Sequence, residues 1–301
     1  MFPTILRALS GALVLSSFGS VALAQEAGDT MSKIRQTRTI TLGVRESARP
    51  FSFADAQKRP AGYSVDLCLN AVEEIKRELK LPELKVQFSY VTGAERIPKL
   101  LAGEIDMECG STTNTKARQE KVDFSYTIFV AGMRVLAPKT ARIDTLRDLD
   151  GMTIGLSKGT TSEKLFSQLA AGELNAKLQT FASNLDAYRA LREGKVRAFP
   201  QDDSLLIGLA ANDKGLDELG LSSLTLSVEP YAVMTRKGDA ALLAAIDRSL
   251  ARLYASGEIT NLYNKWFASE KLTIRMSRLT RDSFTRPNKE AGVAMLLGYS
   301  I

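Results

Sequence analysis

Histidine is absent from all 301 residues. That removes a Ser-His-Asp triad, a Cys-His pair and every His-containing zinc site, which together are the commonest hydrolytic chemistries on a soluble scaffold. Cysteine is scarce: Cys68 and Cys109 are too few for a disulfide scaffold and too far apart for a metal knuckle. In an oxidising compartment the two are able to pair, and spacing alone leaves that open. Long apolar runs are also missing. Past the amino terminus no stretch is apolar enough to cross a bilayer.

What is present is ordinary globular material, 45% hydrophobic and 25% charged, with length for about two domains. Residues 1–24 stand apart: Arg7 opens them, Ala8 to Val21 is a short run of apolar and small residues, and Ala22-Leu23-Ala24 precedes Gln25. This is the pattern of a cleaved secretory signal, so a soluble, exported mature chain beginning near Gln25 is expected, with no lipid anchor. The net charge of +6 raises nucleic acid as a partner. A good share of the excess lies in the last residues (Lys271, Arg275, Arg278, Arg281, Arg286 and Lys289 against Glu270, Asp282 and Glu290), which reads as a solvated basic tail, and no nucleic-acid partner is expected.

The densest chemistry lies in residues 106–126. A strand ends at Cys109, Gly110 to Asn114 forms a loop, and a helical turn from Thr115 to Lys121 brings Arg118 back over it. The loop's N–H groups and the hydroxyls of Ser111 and Thr113 can donate to a carboxylate, while the planar Arg118 fork grips both oxygens at once. Such a stretch alone is equally a solvated turn beside a surface charge; its neighbours decide.

Alternation predicts strands over Thr39 to Val44, Leu84 to Val91 and Phe129 to Ala137, with helices over Asp66 to Lys80 and from Arg96 to near Gly103 between them. This rhythm is that of a helix-covered parallel sheet, in which ligands gather at the carboxyl ends of strands, where Arg45 stands. A second cycle follows. Gly151 to Leu156 reads as a strand; Thr160 and Glu163 have capping-box spacing, so the helix they open points free N–H groups out of the strand edge. Asn184 to Gly194 reads as a helix, Val196 to Pro200 as a strand and Gln201 to Ser204 as its loop, where Asp202 either receives an ammonium or caps the next helix. Leu224 to Arg236 is extended, and helices Ala240 to Ser256 and one ending at Lys265-Trp266-Phe267 close the core. The expected architecture is α/β and two-lobed: 25–129 plus 232–270 as one lobe, 135–227 as the other, hinge crossings at about 130–134 and 228–231, and 271–301 as an extension of no assigned role.

The segments Arg45-Glu46-Ser47 with Pro50-Phe51-Ser52, Gly62-Tyr63-Ser64, Arg96-Ile97-Pro98, Glu108 to Asn114, Phe124-Ser125, Ser157 to Ser162, Asp202-Asp203 and Lys265-Trp266-Phe267 occur in the order of one family. The chain closely resembles the polar amino-acid branch of the periplasmic solute-binding proteins of ABC importers, and within it the glutamate/aspartate binders, over about residues 33–267. The resemblance implies a clamp that closes on an amino acid without a cofactor or metal and hands it to a membrane permease, working as a monomer. Arg118 with Thr113 would hold the α-carboxylate, and Ser111 with Asp202 the ammonium. Arg45 and Arg96, with Thr160 and Thr161, would hold the side-chain carboxylate. Asn184 stands where relatives carry a histidine, and Gly93 where they carry a serine, so glutamate against aspartate and tolerance of amides stay open. An apolar ligand would leave two buried guanidinium groups unpaired, which argues independently for a second carboxylate. The alternatives are a sensory amino-acid-binding module, and a dehydratase-type enzyme on the same fold using Glu108 or Asp202 as its acid.

Overall fold

The computed structural model describes residues 29–211, 213–269, 272–294 and 299–300. The expected signal segment, 1–24, lies outside the described residues. No helix among the described residues is long and apolar enough to cross a membrane.

The first sheet is ordered Lys85–Tyr90, Thr39–Val44, Met107–Glu108, Met234–Arg236, Val122–Phe124. Its first three strands are parallel, and Met234–Arg236 runs antiparallel to both its neighbours. Tyr63–Leu79 covers it with Val65, Cys68, Val72 and Ile75 inward. Helices Ala240–Ser256 and Glu258–Phe267 pack on that helix, and Trp266 Nε1 and Lys265 Nζ each reach Asp66 Oδ2 at 2.7 Å. Cys68 and Cys109 form a disulfide, with Cα atoms 6.1 Å apart, that ties this helix to the strand entering the Gly110 loop.

The helix begins at Tyr63, ahead of the expected Asp66, because its first amides find backbone partners in place of a capping side chain. Tyr63 N donates to Pro50 O (3.0 Å) and Ser64 N to Phe51 O (2.9 Å). Gly62 makes this possible: its φ is +133°, and a Cβ there would lie 2.2 Å from Phe51 O.

The second sheet is built on the long strand Phe129–Pro138, flanked by Phe199–Asp202 on one side and by Leu219–Leu221 and then Ser227–Tyr231 along the other, all antiparallel to it. Thr153–Ser157 and Lys177–Phe181 form a parallel pair, joined to the rest by the Ile154–Ala198 bridge. The strand expected at Val196 to Pro200 is therefore shifted. Arg197 N and Ala198 O still bond to the Thr153–Ser157 strand, but the regular strand is Phe199–Asp202 on a different partner, so Gln201 and Asp202 end a strand where a loop was expected. Phe129 and Tyr231, on the two strands that pass between the sheets, are buried in an aromatic cluster with Phe51, Tyr63, Tyr263 and Phe267. Separate apolar cores lie around Leu156, Leu165 and Phe166 and around Leu136, Phe199 and Leu206.

The expectation of a solvated tail fails. Arg278–Thr285 is a helix with Thr280, Ser283 and Phe284 buried, and the Phe284 ring stacks on Tyr254 at 5.0 Å. The basic residues that dominate the composition face outward from that helix while its apolar side joins the first core.

Candidate functional site

Each candidate side chain stands just beyond a strand end or at a helix start. Arg45 follows Thr39–Val44, the Gly110 loop follows Met107–Glu108, Thr160 and Thr161 follow Thr153–Ser157, and Asp202 closes Phe199–Asp202. The edges of both sheets thus deliver their polar residues into one cleft. Arg45, Arg96, Ser111, Thr113, Thr161, Asn184 and Asp202 are all buried.

Three guanidinium groups meet there. Arg96 Nη1 donates to Thr112 Oγ1 (2.9 Å) and Nη2 to Gly159 O (3.0 Å). Arg118 Nη1 donates to Thr113 O (2.8 Å) and Nη2 to the same Gly159 O (3.2 Å). One carbonyl beyond the second sheet therefore receives two arginines carried by the first. Arg45 lies along Gly110, where a Cβ would come 2.9 Å from its Cγ. Burial pushes the Arg45 guanidinium down to about 10, and the adjacent Arg96 charge adds to the effect. Burial and Arg96 together bring Arg118 down to about 9. Desolvation lowers Arg96 too, with Glu108 opposing. Three cations held this way are short of anionic partners.

The opposing charges are Asp202, Glu108 and Glu229. Asp202 occupies the N-cap position of Asp203–Ala210 but makes no side-chain capping bond. Its Oδ2 accepts from Tyr231 Oη, and its buried Oδ1 has no partner among the described residues. Burial, reinforced by the Glu229 charge, holds its carboxyl well above the usual range. Glu108 accepts from Thr112 Oγ1 at 2.7 Å, and its Oε1 is likewise buried with no partner among the described residues. Glu229 accepts from Thr161 Oγ1 (3.1 Å) and from Ser227.

Not every candidate turns toward the arginines. The Thr160 hydroxyl caps its helix, accepting from Glu163 N (3.1 Å) and donating to Ser157 O (2.7 Å). The reciprocal arm of the capping box differs from expectation: Glu163 accepts from Gly159 N (2.7 Å), one residue ahead of the cap. Asn184 Oδ1 accepts from Gln201 Nε2 (3.0 Å), and Gln201 Oε1 accepts from Asp202 N (3.0 Å), so Asn184 is linked to Asp202 through Gln201. A cavity of about 100 Å³ bounded by Arg118, Thr160, Thr161 and Lys164 opens beside the cluster.

Glu229, Tyr231, Gln201 and Thr112 were not among the sequence-derived candidates. The one available signal was a lone acid, Glu229, two residues before Tyr231 in the extended run Leu224 to Arg236. Gly93 and Gly159 are equally part of the site. A Cβ on Gly93 would lie 2.7 Å from Lys158 O, and one on Gly159 would lie 2.6 Å from the Gly93 carbonyl. Backbone meets backbone across the cleft at these two positions.

Two α/β lobes that enclose a polar cleft, lined by guanidinium and carboxylate groups that make no ion pairs with one another among the described residues, define a clamp for a small charged solute. The profile of the bacterial extracellular solute-binding proteins, family 3, matches residues 40–269, and the chain belongs to that family. It is 41% identical over 261 residues to the L-glutamate/L-aspartate-binding protein of Pseudomonas aeruginosa, covering 86% of each chain. To the glutamate/aspartate import solute-binding protein of Escherichia coli K12 it is 35% identical over 275 residues, 89% of this chain and 91% of that one. Among solved structures it is similar to the P235GK mutant of ArgBP from T. maritima, with 29% identity, TM-score 0.71, and coverage of 79% and 99%. The ancestral amino acid-binding protein AncCDT-1, a precursor of cyclohexadienyl dehydratase, shows 29% identity, TM-score 0.68 and the same coverage.

Proposed function

We propose that this chain is an exported, monomeric receptor that closes two lobes on L-glutamate or L-aspartate and delivers the amino acid to the permease of an ABC importer. The lobes are 25–129 plus 232–270 and 135–227, turning about hinges near 130–134 and 228–231. Two buried guanidinium groups, Arg45 and Arg96, with the half-buried Arg118 beside them and a buried carboxylate that has a bare oxygen, carry this reading. The printed names of the Pseudomonas and Escherichia relatives point to the same ligands.

An acidic amino acid brings two carboxylates and one ammonium. Arg118, the Gly110 loop and Thr113 would take the α-carboxylate. Asp202 Oδ1 and Ser111 would take the ammonium, with Asn184 and Gln201 holding Asp202 in place. Arg45 and Arg96 would take the side-chain carboxylate, with the free N–H groups at the start of Thr161–Ala170 beside them. Each ligand charge then meets its opposite, and the added carboxylates offset the desolvation that lowers the arginine pKa values. With Asp202 committed to the ligand ammonium, binding without turnover is the expected behaviour, and the reading calls for neither cofactor nor nucleic acid.

Titration calorimetry of the ligand-stripped protein with L-glutamate, L-aspartate, L-glutamine and L-asparagine tests this, alongside Arg96→Ala. The acids should bind far more tightly than the amides. The variant should lose about 2 kcal/mol or more of binding free energy, the usual cost of stranding one side of a buried charge pair. Amide binding as tight as that of the acids, and indifferent to Arg96, would remove the acidic specificity.

A further inference from the structure

The chain passes beside the hinge region a third time. After helix Arg278–Thr285 has packed Phe284 into the first core, residues 286–292 run outward, and Val293–Ala294 adds an antiparallel strand to Ser227–Val228, at the edge of the second sheet. On the way this segment bonds to both crossing strands and to the ligand loop. Thr280 Oγ1 accepts from Val130 N (3.0 Å), and Thr127 N donates to Asn288 O (2.9 Å). Lys289 Nζ pairs with Asp247 at 2.5 Å.

Asn114 is where this segment meets the site. Its four polar groups are all engaged: its N–H donates to Pro230 O on the crossing strand (2.8 Å), and its carbonyl accepts from Gly292 N (2.8 Å). Its Nδ2 donates to Lys289 O (2.9 Å), and its Oδ1 accepts from Gln119 Nε2 (2.8 Å). Gln119 belongs to Lys116–Gln119, the single helical turn that carries Arg118. A four-residue turn cannot hold itself, since nucleation of a helix is unfavourable and one turn returns almost none of that cost. Its placement comes from contacts outside it: Thr115, which caps it, the Arg118 bonds to Thr113 O and Gly159 O, Lys237 Nζ on Gln119 O (2.7 Å), and the web from Gln119 through Asn114 to the carboxy-terminal segment.

We infer that residues 278–294 are a strap that positions the Arg118 turn and the Gly110 loop through Asn114, making Asn114 and the segment 288–292 positioning elements of the binding site. This rests on the proposed amino-acid receptor for its consequence in binding, but not for its effect on the turn. Two chains test it: one ending at Arg286, which keeps Phe284 in the core, and full-length Asn114→Ala, which removes the side-chain bonds to Lys289 O and Gln119 Nε2 and leaves the strap and the backbone bonds in place. Hydrogen exchange of the unliganded proteins, read against wild type, should be at least about tenfold faster across 113–121 in both, with Tyr63–Leu79 unchanged. L-glutamate affinity by calorimetry should fall about five- to thirtyfold in both. Unchanged exchange at 113–121 in Asn114→Ala overturns the strap whatever the truncated chain does. Faster exchange with wild-type affinity overturns its role in binding. If wild type binds neither acidic amino acid while exchange responds as expected, the proposed ligand falls and the strap stands.

Discussion

Gly93 and Gly159 offer the most direct probe of closure. They lie 66 residues apart and belong to loops beyond different sheets, yet a Cβ on Gly93 would sit 2.7 Å from Lys158 O. Ordinary carbon–oxygen contact requires more than 3 Å, so the methyl of Gly93→Ala has to push the facing loop back by roughly half an ångström. Inserting a methyl where packing is complete costs about 1–3 kcal/mol. At 1.4 kcal/mol per decade this is a five- to 150-fold weaker affinity. The cost falls only on the closed clamp. Gly93 is not in the left-handed region, so alanine is unstrained there once the loops part, and the lost freedom of the unfolded chain stabilises the open form by about 0.4–1 kcal/mol. Calorimetry should therefore show a raised Kd while the melting temperature of the unliganded protein holds or rises. Gly159→Ala differs: its φ of +77° makes alanine strained in every state, so stability and affinity should fall together. Wild-type affinity in Gly93→Ala would refute the idea that these loops meet on closure. A lower melting temperature with unchanged Kd would show them packed permanently.

Asp202→Asn should weaken L-glutamate binding about tenfold or more, as expected for a lost charged hydrogen bond worth roughly 1.5–3 kcal/mol, while raising the melting temperature of the unliganded protein. Because the folded Asp202 carboxyl titrates well above its unfolded value, it stabilises the fold fully below about pH 4 and loses that contribution as pH rises toward the folded value. Urea titrations across that interval should show this dependence in wild type and not in the Asn variant. The Cys68–Cys109 bridge closes a loop with a sequence separation of 41, for which chain entropy gives about 4 kcal/mol. Denaturant midpoints with and without reductant should differ accordingly; equal midpoints would mean that the reduced chain keeps the loop closed by other contacts.

Much of the architecture was legible in local pattern. Thr39–Val44 and Ala240–Ser256 have the bounds that alternation and helical periodicity assign them, because one buried face per element imprints its period on the chain. Arg118 was legible for a related reason: loop, hydroxyls and helical turn are contiguous, so its placement is nearly local. The start of Tyr63–Leu79 was not, since its cap consists of backbone carbonyls from residues 50 and 51. Asp202 had two roles open in sequence, and only the packing of Tyr231 against its Oδ2 takes the carboxyl away from capping.

Residue types and local spacing were enough for the class of protein, its two-cycle α/β rhythm, the exclusion of histidine-based hydrolytic sites and the set of polar residues bound for the strand ends. These follow from residue types and spacings a few positions apart. Only long-range packing settles which charges share the cleft, that Glu108 and Glu229 join them, that Gly93 faces Gly159, and that the basic helix Arg278–Thr285 packs on the first core. Those outcomes depend on contacts between residues that are distant in the chain, such as the 68 positions separating Thr161 from Glu229, and composition carries no trace of them.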